Sequence, residues 1–80
     1  MSIEEKVIKI VAQVCRTGEA GITRKTEYVK DLSVTKSVTY FQVASILEAE
    51  FDVKVNFQKL RTKTVGETID YINGLIQQTS

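Results

Sequence analysis

Residues 37–51 read SVTYFQVASILEAEF, and this stretch decides the fold. Its apolar side chains recur at intervals of three or four positions, which places them along one face of an α-helix. They are Tyr40, Val43, Ala44, Leu47 and Phe51. β-Branched residues near the start weaken helix propensity there, so the prediction rests on the pattern. We predict an amphipathic helix over 37–51 that must pack against other helices to be stable.

A second helix precedes this one. Ser2 and Glu5 have the spacing of a capping box, in which two side chains satisfy backbone N–H groups at a helix start. The apolar stripe that follows consists of Ile3, Val7, Ile10, Val11 and Val14. Because Gly18 and Gly21 are expected to end the segment, the helix is predicted over roughly residues 3–17.

Residues 18–36 form a long connection between these two helices. A connection of this length without regular structure is uncommon and is often functional. We expect it to pack onto the helices through four apolar side chains, Ile22, Tyr28, Val29 and Leu32.

Two further helices are predicted after residue 51. Residues 53–55 form a short extended linker, and Asn56 can cap a brief helix near 57–61. Thr64 and Glu67 form another capping box. The last helix then runs to about residue 77 on an apolar stripe of Val65, Ile69, Ile72 and Ile76. The predicted fold is all-α, with three main helices and one short helix in a single domain over 1–80.

Composition narrows the function classes. The chain has 42% hydrophobic and 26% charged residues and a net charge of +1, as in an ordinary soluble domain. It has no histidine, which removes the commonest general base and metal ligand. The single cysteine, Cys15, excludes an internal disulfide and is expected to be a small apolar filler beside the core. Without a signal-peptide pattern or a run approaching the roughly 20 apolar residues of a membrane span, the expected location is the cytoplasm.

Catalytic patterns are missing from the sequence. The glycines form no phosphate-binding loop, and a serine nucleophile would have no histidine as its base. Glu48, Glu50 and Asp52 resemble a carboxylate cluster, but positions two apart on a helix do not share a face, so a solvated surface is the better interpretation. We predict no catalytic residues, no metal site and no enzymatic activity.

Ser37 is the candidate functional residue. It lies at the predicted start of a helix, directly after the long connection, where its hydroxyl would point into solvent. A phosphate ester on that hydroxyl would lie against free N–H groups and the positive end of the helix dipole, with Lys36 adding attraction. On local chemistry alone, the simpler interpretation is that Ser37 only begins or caps a helix.

Three segments in order resemble the acyl carrier protein family. They are residues 22–32 (ITRKTEYVKDL), 47–55 (LEAEFDVKV) and 64–73 (TVGETIDYIN). The resemblance covers nearly the whole chain and implies an acyl carrier protein-like bundle with a long loop between helices one and two. It places Ser37 on the serine that receives 4′-phosphopantetheine from coenzyme A, attached by a phosphopantetheinyl transferase (holo-synthase).

The resemblance also implies what such a chain does. The arm would carry an acyl or related group as a thioester and deliver it to partner enzymes of fatty acid biosynthesis, other lipid metabolism or a secondary-metabolite pathway. In the family the acyl chain can shelter between helices, and by position Val38, Phe41 and Ser45 would line that entrance. The chain would act as a monomer without inserting into membranes.

The sequence departs from the family pattern in three ways that affect which enzymes could dock on it. The family's usual Asp-Ser-Leu is replaced by Lys36-Ser37-Val38, and the segment before Ser37 is one residue longer than the common form. The second helix has no acid before Glu48, whereas the family uses acids there to dock basic enzymes. We therefore expect dedicated acyl-loading and acyl-transfer enzymes with neutral, apolar or acidic docking faces, contacted by exposed Tyr40 or Phe41 unless these belong to the core.

Two alternatives remain open. The chain could be an unmodified carrier-fold protein that acts as a protein–protein interaction module, which the Lys36 substitution and the missing acids favour. It could also be a small helical nucleic-acid binder with two loose basic clusters. These clusters are Arg24 with Lys25, and Lys59 with Arg61 and Lys63. Ten acidic residues balance the eleven basic ones and no basic recognition helix is present, so we expect no nucleic-acid binding.

Overall fold

Three α-helices form the framework of the computed structural model, which describes residues 2–79. Helix α1 spans Ile3–Cys15, α2 spans Ser37–Phe51 and α3 spans Val65–Thr79. Two short 3-10 helices, Glu19–Gly21 and Phe57–Leu60, lie in the connections. Apart from an isolated antiparallel bridge between Glu27 and Thr64, all regular structure in this range is helical, which confirms the all-α prediction.

Predicted and observed helix boundaries agree best where a nearby side chain caps the helix. Helix α2 has the predicted bounds, and the α3 capping box forms in full, since the Thr64 N–H also donates to the Glu67 carboxylate at 3.2 Å. At α1 the Ser2 half of the predicted box forms, while Glu5 accepts the Ser2 hydroxyl at 3.2 Å and not its backbone N–H. The Glu5 N–H donates to Ser2 Oγ at 3.1 Å, and the Glu67 N–H donates to Thr64 Oγ1 at 3.3 Å. Asn56 caps the second 3-10 helix by accepting the Gln58 N–H at 3.0 Å.

Three of the predicted helix ends differ from the observed ends by one or two residues. Helix α1 stops at Cys15, two residues early, because Arg16 takes the left-handed conformation at φ 55° and its N–H bonds the Ala12 carbonyl. The first 3-10 helix was not predicted, and the short helix predicted near 57–61 is a 3-10 helix that ends at Leu60. Helix α3 extends to Thr79 rather than 77.

The core lies where the three stripes meet. Helix α1 packs against both α2 and α3, and the second 3-10 helix packs against α2 and α3. Lys6 Nζ lies 3.9 Å from Glu50 Oε2, so the start of α1 is beside the end of α2 and these helices run antiparallel. The side chains with no more than 1% exposure are Val7, Val11, Leu47, Leu60, Val65, Thr68, Ile69 and Ile72.

The connection before α2 is fixed to the start of α3. The Gly66 N–H donates to the Arg24 carbonyl and the Val65 N–H to the Thr26 carbonyl, both at 2.9 Å, and the Tyr28 N–H donates to the Lys63 carbonyl at 3.2 Å. Of the predicted anchors, Ile22 and Tyr28 are buried and Leu32 is half-buried.

Val29 is the anchor that was predicted wrongly. Its side chain is 62% exposed, and Val34 takes a buried place instead. The chain turns back here, since the Val34 N–H donates to the Tyr28 carbonyl at 2.9 Å.

The α3 capping box should make stability depend on pH. The Glu67 carboxylate accepts N–H groups of Thr64 and Lys63, and these bonds lower its pKa. A lowered folded pKa stabilises the fold fully above the unfolded value of about 4.3, and the benefit is lost as pH falls through the folded value. Glu67→Gln should therefore flatten the acid side of a melting-temperature-versus-pH curve. Glu19→Gln, at an acid outside either box, removes the same charge without touching these N–H groups and is the matched control for the change in net charge.

Candidate functional site

Ser37 is the first residue of α2, as predicted, and its side chain is exposed. Within residues 2–79 its hydroxyl makes no hydrogen bond, so the oxygen is available to a reagent from solvent. The side chains of Ser2 and Thr64 cap the starts of α1 and α3, whereas Lys36 at the N-cap of α2 provides no side-chain bond.

The start of α2 also retains unsatisfied donors. The Thr39 N–H donates to the Lys36 carbonyl at 3.1 Å, while in the described chain the N–H groups of Ser37 and Val38 have no acceptor. No acidic residue lies in the first turn. The arrangement therefore offers an anion on Ser37 two free donors and the positive end of the helix dipole.

The surface beside Ser37 is apolar. Val38 is 56% exposed and Phe41 55% exposed, and Phe41 forms an edge-to-face pair with Phe57 at 5.7 Å between ring centroids. Tyr40 is instead a core residue at 6% exposure, packed edge-to-face against Tyr28 at 5.5 Å. Of the two aromatic residues proposed for partner contact, only Phe41 is therefore accessible.

An open groove of about 490 Å³ lies between α1 and α2. Phe41 and Ser45 line it, whereas Val38 is not among its lining residues. Gln13 and Val14 of α1 supply the opposite wall, and Ile46 on α2 also lines the groove. None of these three residues was predicted from the sequence. A pattern within one helix cannot show which residues of another helix lie opposite it.

The acidic residues near the end of α2 and the single cysteine contribute to the packing of the fold and do not form a site. Glu48 accepts the Val55 N–H at 3.0 Å and Glu50 pairs with Lys6, so the acids near the end of α2 do not form a metal site in the described residues. Cys15 is half-buried, and burial raises the pKa of its thiol, which fits the predicted role as a filler.

Arg24, in the first of the two basic clusters, is paired with acidic side chains. Arg24 bridges two acids, with its guanidinium 3.3 Å from Glu4 Oε1 and 2.7 Å from Asp70 Oδ1. Together with the Lys6–Glu50 pair, these contacts gather around the start of α1, away from Ser37.

Comparison with models of known protein families gives no match for this chain. No helix in the described range is both long enough and apolar enough to span a bilayer.

Proposed function

We propose that this chain is a carrier domain of the acyl carrier protein class, modified on Ser37 with 4′-phosphopantetheine. The observation that carries the proposal is the exposed, unbonded Ser37 hydroxyl at the first residue of an uncapped helix. The three ordered segments that resemble the family support the same assignment.

The residues around Ser37 fit the group that the proposal requires. The phosphodiester would lie at the start of α2, where the free N–H groups of Ser37 and Val38 and the helix dipole favour a negative charge. Lys36 adds a positive charge at the N-cap. The chain itself would hold and present the arm.

The arm supplies the chemistry when bound, because its terminal thiol carries an acyl or related group as a thioester. The protein would then need no catalytic residue of its own, in agreement with a sequence that contains no histidine. The domain would serve a lipid or secondary-metabolite pathway as a cytoplasmic monomer. Its partners would be a phosphopantetheinyl transferase and the enzymes that load and receive the cargo.

The exposed surface of α2 favours dedicated partners. No charged residue lies between Ser37 and Leu47, and the exposed side chains there include Val38 and Phe41. Since charge complementarity controls encounter rate and partner choice, enzymes with basic docking faces would associate poorly. A partner with an apolar pocket and a neutral or acidic rim fits this surface.

Intact mass after incubation with coenzyme A and a broad-specificity phosphopantetheinyl transferase tests the proposal. We expect one pantetheine adduct on the wild-type chain and none on Ser37→Ala. Ser45→Ala, at an exposed serine of the same helix, should be modified as wild type.

The alternative function is an unmodified interaction module with the same fold. Lys36 beside the serine and the exposed Phe41 favour it. Absence of an adduct both in the reaction above and in protein isolated from its native host would rule out the carrier and leave this module.

A further inference from the structure

The outer face of α2 lacks the charges that a solvent-facing helix normally carries. Its exposed side chains recur at alternating intervals of three positions and one, which is the spacing of a second helical stripe opposite the one that faces the core. They are all uncharged: Val38, Phe41, Gln42, Ser45, Ile46 and Ala49. By contrast, exposed Lys9 on α1 and exposed Asp70 on α3 are charged.

This outer face also concentrates the exposed apolar surface. Four large hydrophobic side chains are exposed in the described residues, and three of them, Val38, Phe41 and Ile46, lie on this one face. Single exposed apolar residues are normal, whereas a contiguous group marks a contact surface. The outer face of α2 therefore has the composition of an interface.

The two ends of the outer face differ in charge. Lys36 is exposed at the N-cap, and the first turn contains no acid. Glu48, Glu50 and Asp52 lie at the other end, where Lys6 offsets one of them through its ion pair with Glu50. A helix that is positive at its start and negative at its end is complementary to a second copy of itself that runs in the opposite direction.

The side chains between those ends also match in an antiparallel pair. With the twofold axis at the midpoint between Val43 and Ala44, each position faces the one equally distant on the other side of that midpoint. The facing residues are then Val38 with Ala49, Phe41 with Ile46, and Gln42 with Ser45. Two of these pairs are apolar, and the third joins an amide to a hydroxyl, which can both donate and accept. No charge is buried.

The groove between α1 and α2 provides space for one of these contacts. Its volume is about 490 Å³, its lining is uncharged, and Ile46 forms part of it. In the antiparallel register, Phe41 of the second copy faces Ile46, so its exposed ring can enter the groove. The twofold symmetry repeats this insertion on the other copy.

We propose that two copies of this chain associate through the outer faces of their α2 helices, in an antiparallel pair with twofold symmetry. The inference does not depend on the proposed function. A face about 22 Å long and about 10 Å wide is small beside the roughly 800 Å² per partner of stable complexes, so the pair exchanges rapidly with the monomer. Pairing covers Val38 and Phe41, so the paired form cannot bind a partner enzyme through them.

Sedimentation equilibrium of the unmodified chain, from micromolar to millimolar concentration, tests the proposal. We expect the average mass to rise with concentration toward that of two chains. Phe41→Lys and Ile46→Glu each place a charge opposite an apolar side chain and should each raise the dissociation constant by about tenfold or more. Val29→Lys, at an exposed apolar residue outside α2, is the matched control and should associate as wild type. All three positions are exposed, and circular dichroism checks that the variants fold.

An equimolar mixture of Phe41→Lys and Ile46→Glu tests the direction of pairing. In the antiparallel register the new ammonium group of one chain faces the new carboxylate of the other. Phe41 of the second chain still faces Ile46 of the first. The mixture should therefore recover the association that neither variant shows alone.

A negative group at position 37 should oppose pairing, because the register places Ser37 opposite Glu50 of the second copy. Ser37→Asp should weaken association. Ser33→Asp, which adds the same charge at an exposed residue of the connection, should not. On the proposed function, the phosphodiester on Ser37 would act in the same direction and keep the modified carrier monomeric.

Several results would overturn the inference. A mass that stays that of one chain up to millimolar concentration would leave the outer face to partner enzymes, and binding of that monomer to neutral phospholipid vesicles through Phe41 would assign it to a membrane surface. Unchanged association of Phe41→Lys and Ile46→Glu would place the interface elsewhere. A mixture that recovers nothing, or a Ser37→Asp variant that pairs as wild type, would exclude the antiparallel register. All these measurements use the unmodified chain, so they are independent of whether Ser37 accepts phosphopantetheine.

Discussion

Tyr28→Ala is expected to lower the free energy of unfolding by about 3–5 kcal/mol, the range for removing a buried aromatic side chain. Tyr28 is only 2% exposed, its ring packs edge-to-face on Tyr40, and its hydroxyl is hydrogen-bonded to the buried Thr68 hydroxyl. A chain of this length has about 4–12 kcal/mol in total. Denaturant unfolding should show a large fall in midpoint at an unchanged m value.

A double-mutant cycle separates the hydroxyl pair from the ring. Tyr28→Phe keeps the ring but deprives the fully buried Thr68 of its partner, and Thr68→Val does the converse, each at a cost of about 1–3 kcal/mol. The double variant should cost less than the sum of the two, because no buried hydroxyl is left without a partner. Strictly additive losses would show that the pair contributes nothing specific.

Gly66→Ala should be the second most damaging change, at about 1–3 kcal/mol for overpacking. A Cβ at this position would lie 2.8 Å from the Arg24 carbonyl oxygen and 3.2 Å from Arg24 Cβ. The same oxygen accepts the Gly66 N–H, so the two segments cannot separate without losing that bond. The glycine is needed for close approach, since its φ is not positive.

Gly74→Ala is the matched control in the same helix. A Cβ there would meet nothing within 4 Å, so the variant should gain about 0.5–1 kcal/mol from improved helix propensity. Thermal unfolding of both variants measures the contrast directly. If Gly66→Ala proved as stabilising as Gly74→Ala, the connection and α3 could not be packed as closely as described.

The features that could be predicted from the sequence are those determined by residues a few positions apart along the chain. Helix α2 and the N-terminal caps of α1 and α3 depend on side chains a few positions apart, and the predicted cap residues Ser2 and Thr64 act as such. The predicted end of α1 is too late because the left-handed residue that ends the helix is Arg16 and not Gly18. Arginine does not favour that conformation, so the sequence does not indicate it. Tertiary packing can override local preference in this way.

The same limit applies to the candidate site around Ser37, where only the local features could be predicted from the sequence. The position of Ser37 at a helix start follows from local pattern, and so does its exposure. The apolar stripe of α2 includes Tyr40, which is buried, and leaves out Phe41, which is exposed. The groove depends instead on where Val14 of α1 meets Ile46 of α2. That relation joins residues about thirty positions apart and leaves no signature in either helix.

The bonds between the connection and the start of α3 join residues 24–28 to residues 63–66. During translation the later segment leaves the ribosome well after Ser37 has emerged. Until then the connection leading into Ser37 lacks the backbone partners that fix its course, and Tyr28 lacks Thr68. On the proposed function, a transferase that recognises the folded surface around Ser37 would therefore act only after residues 63–66 have emerged and these bonds have formed.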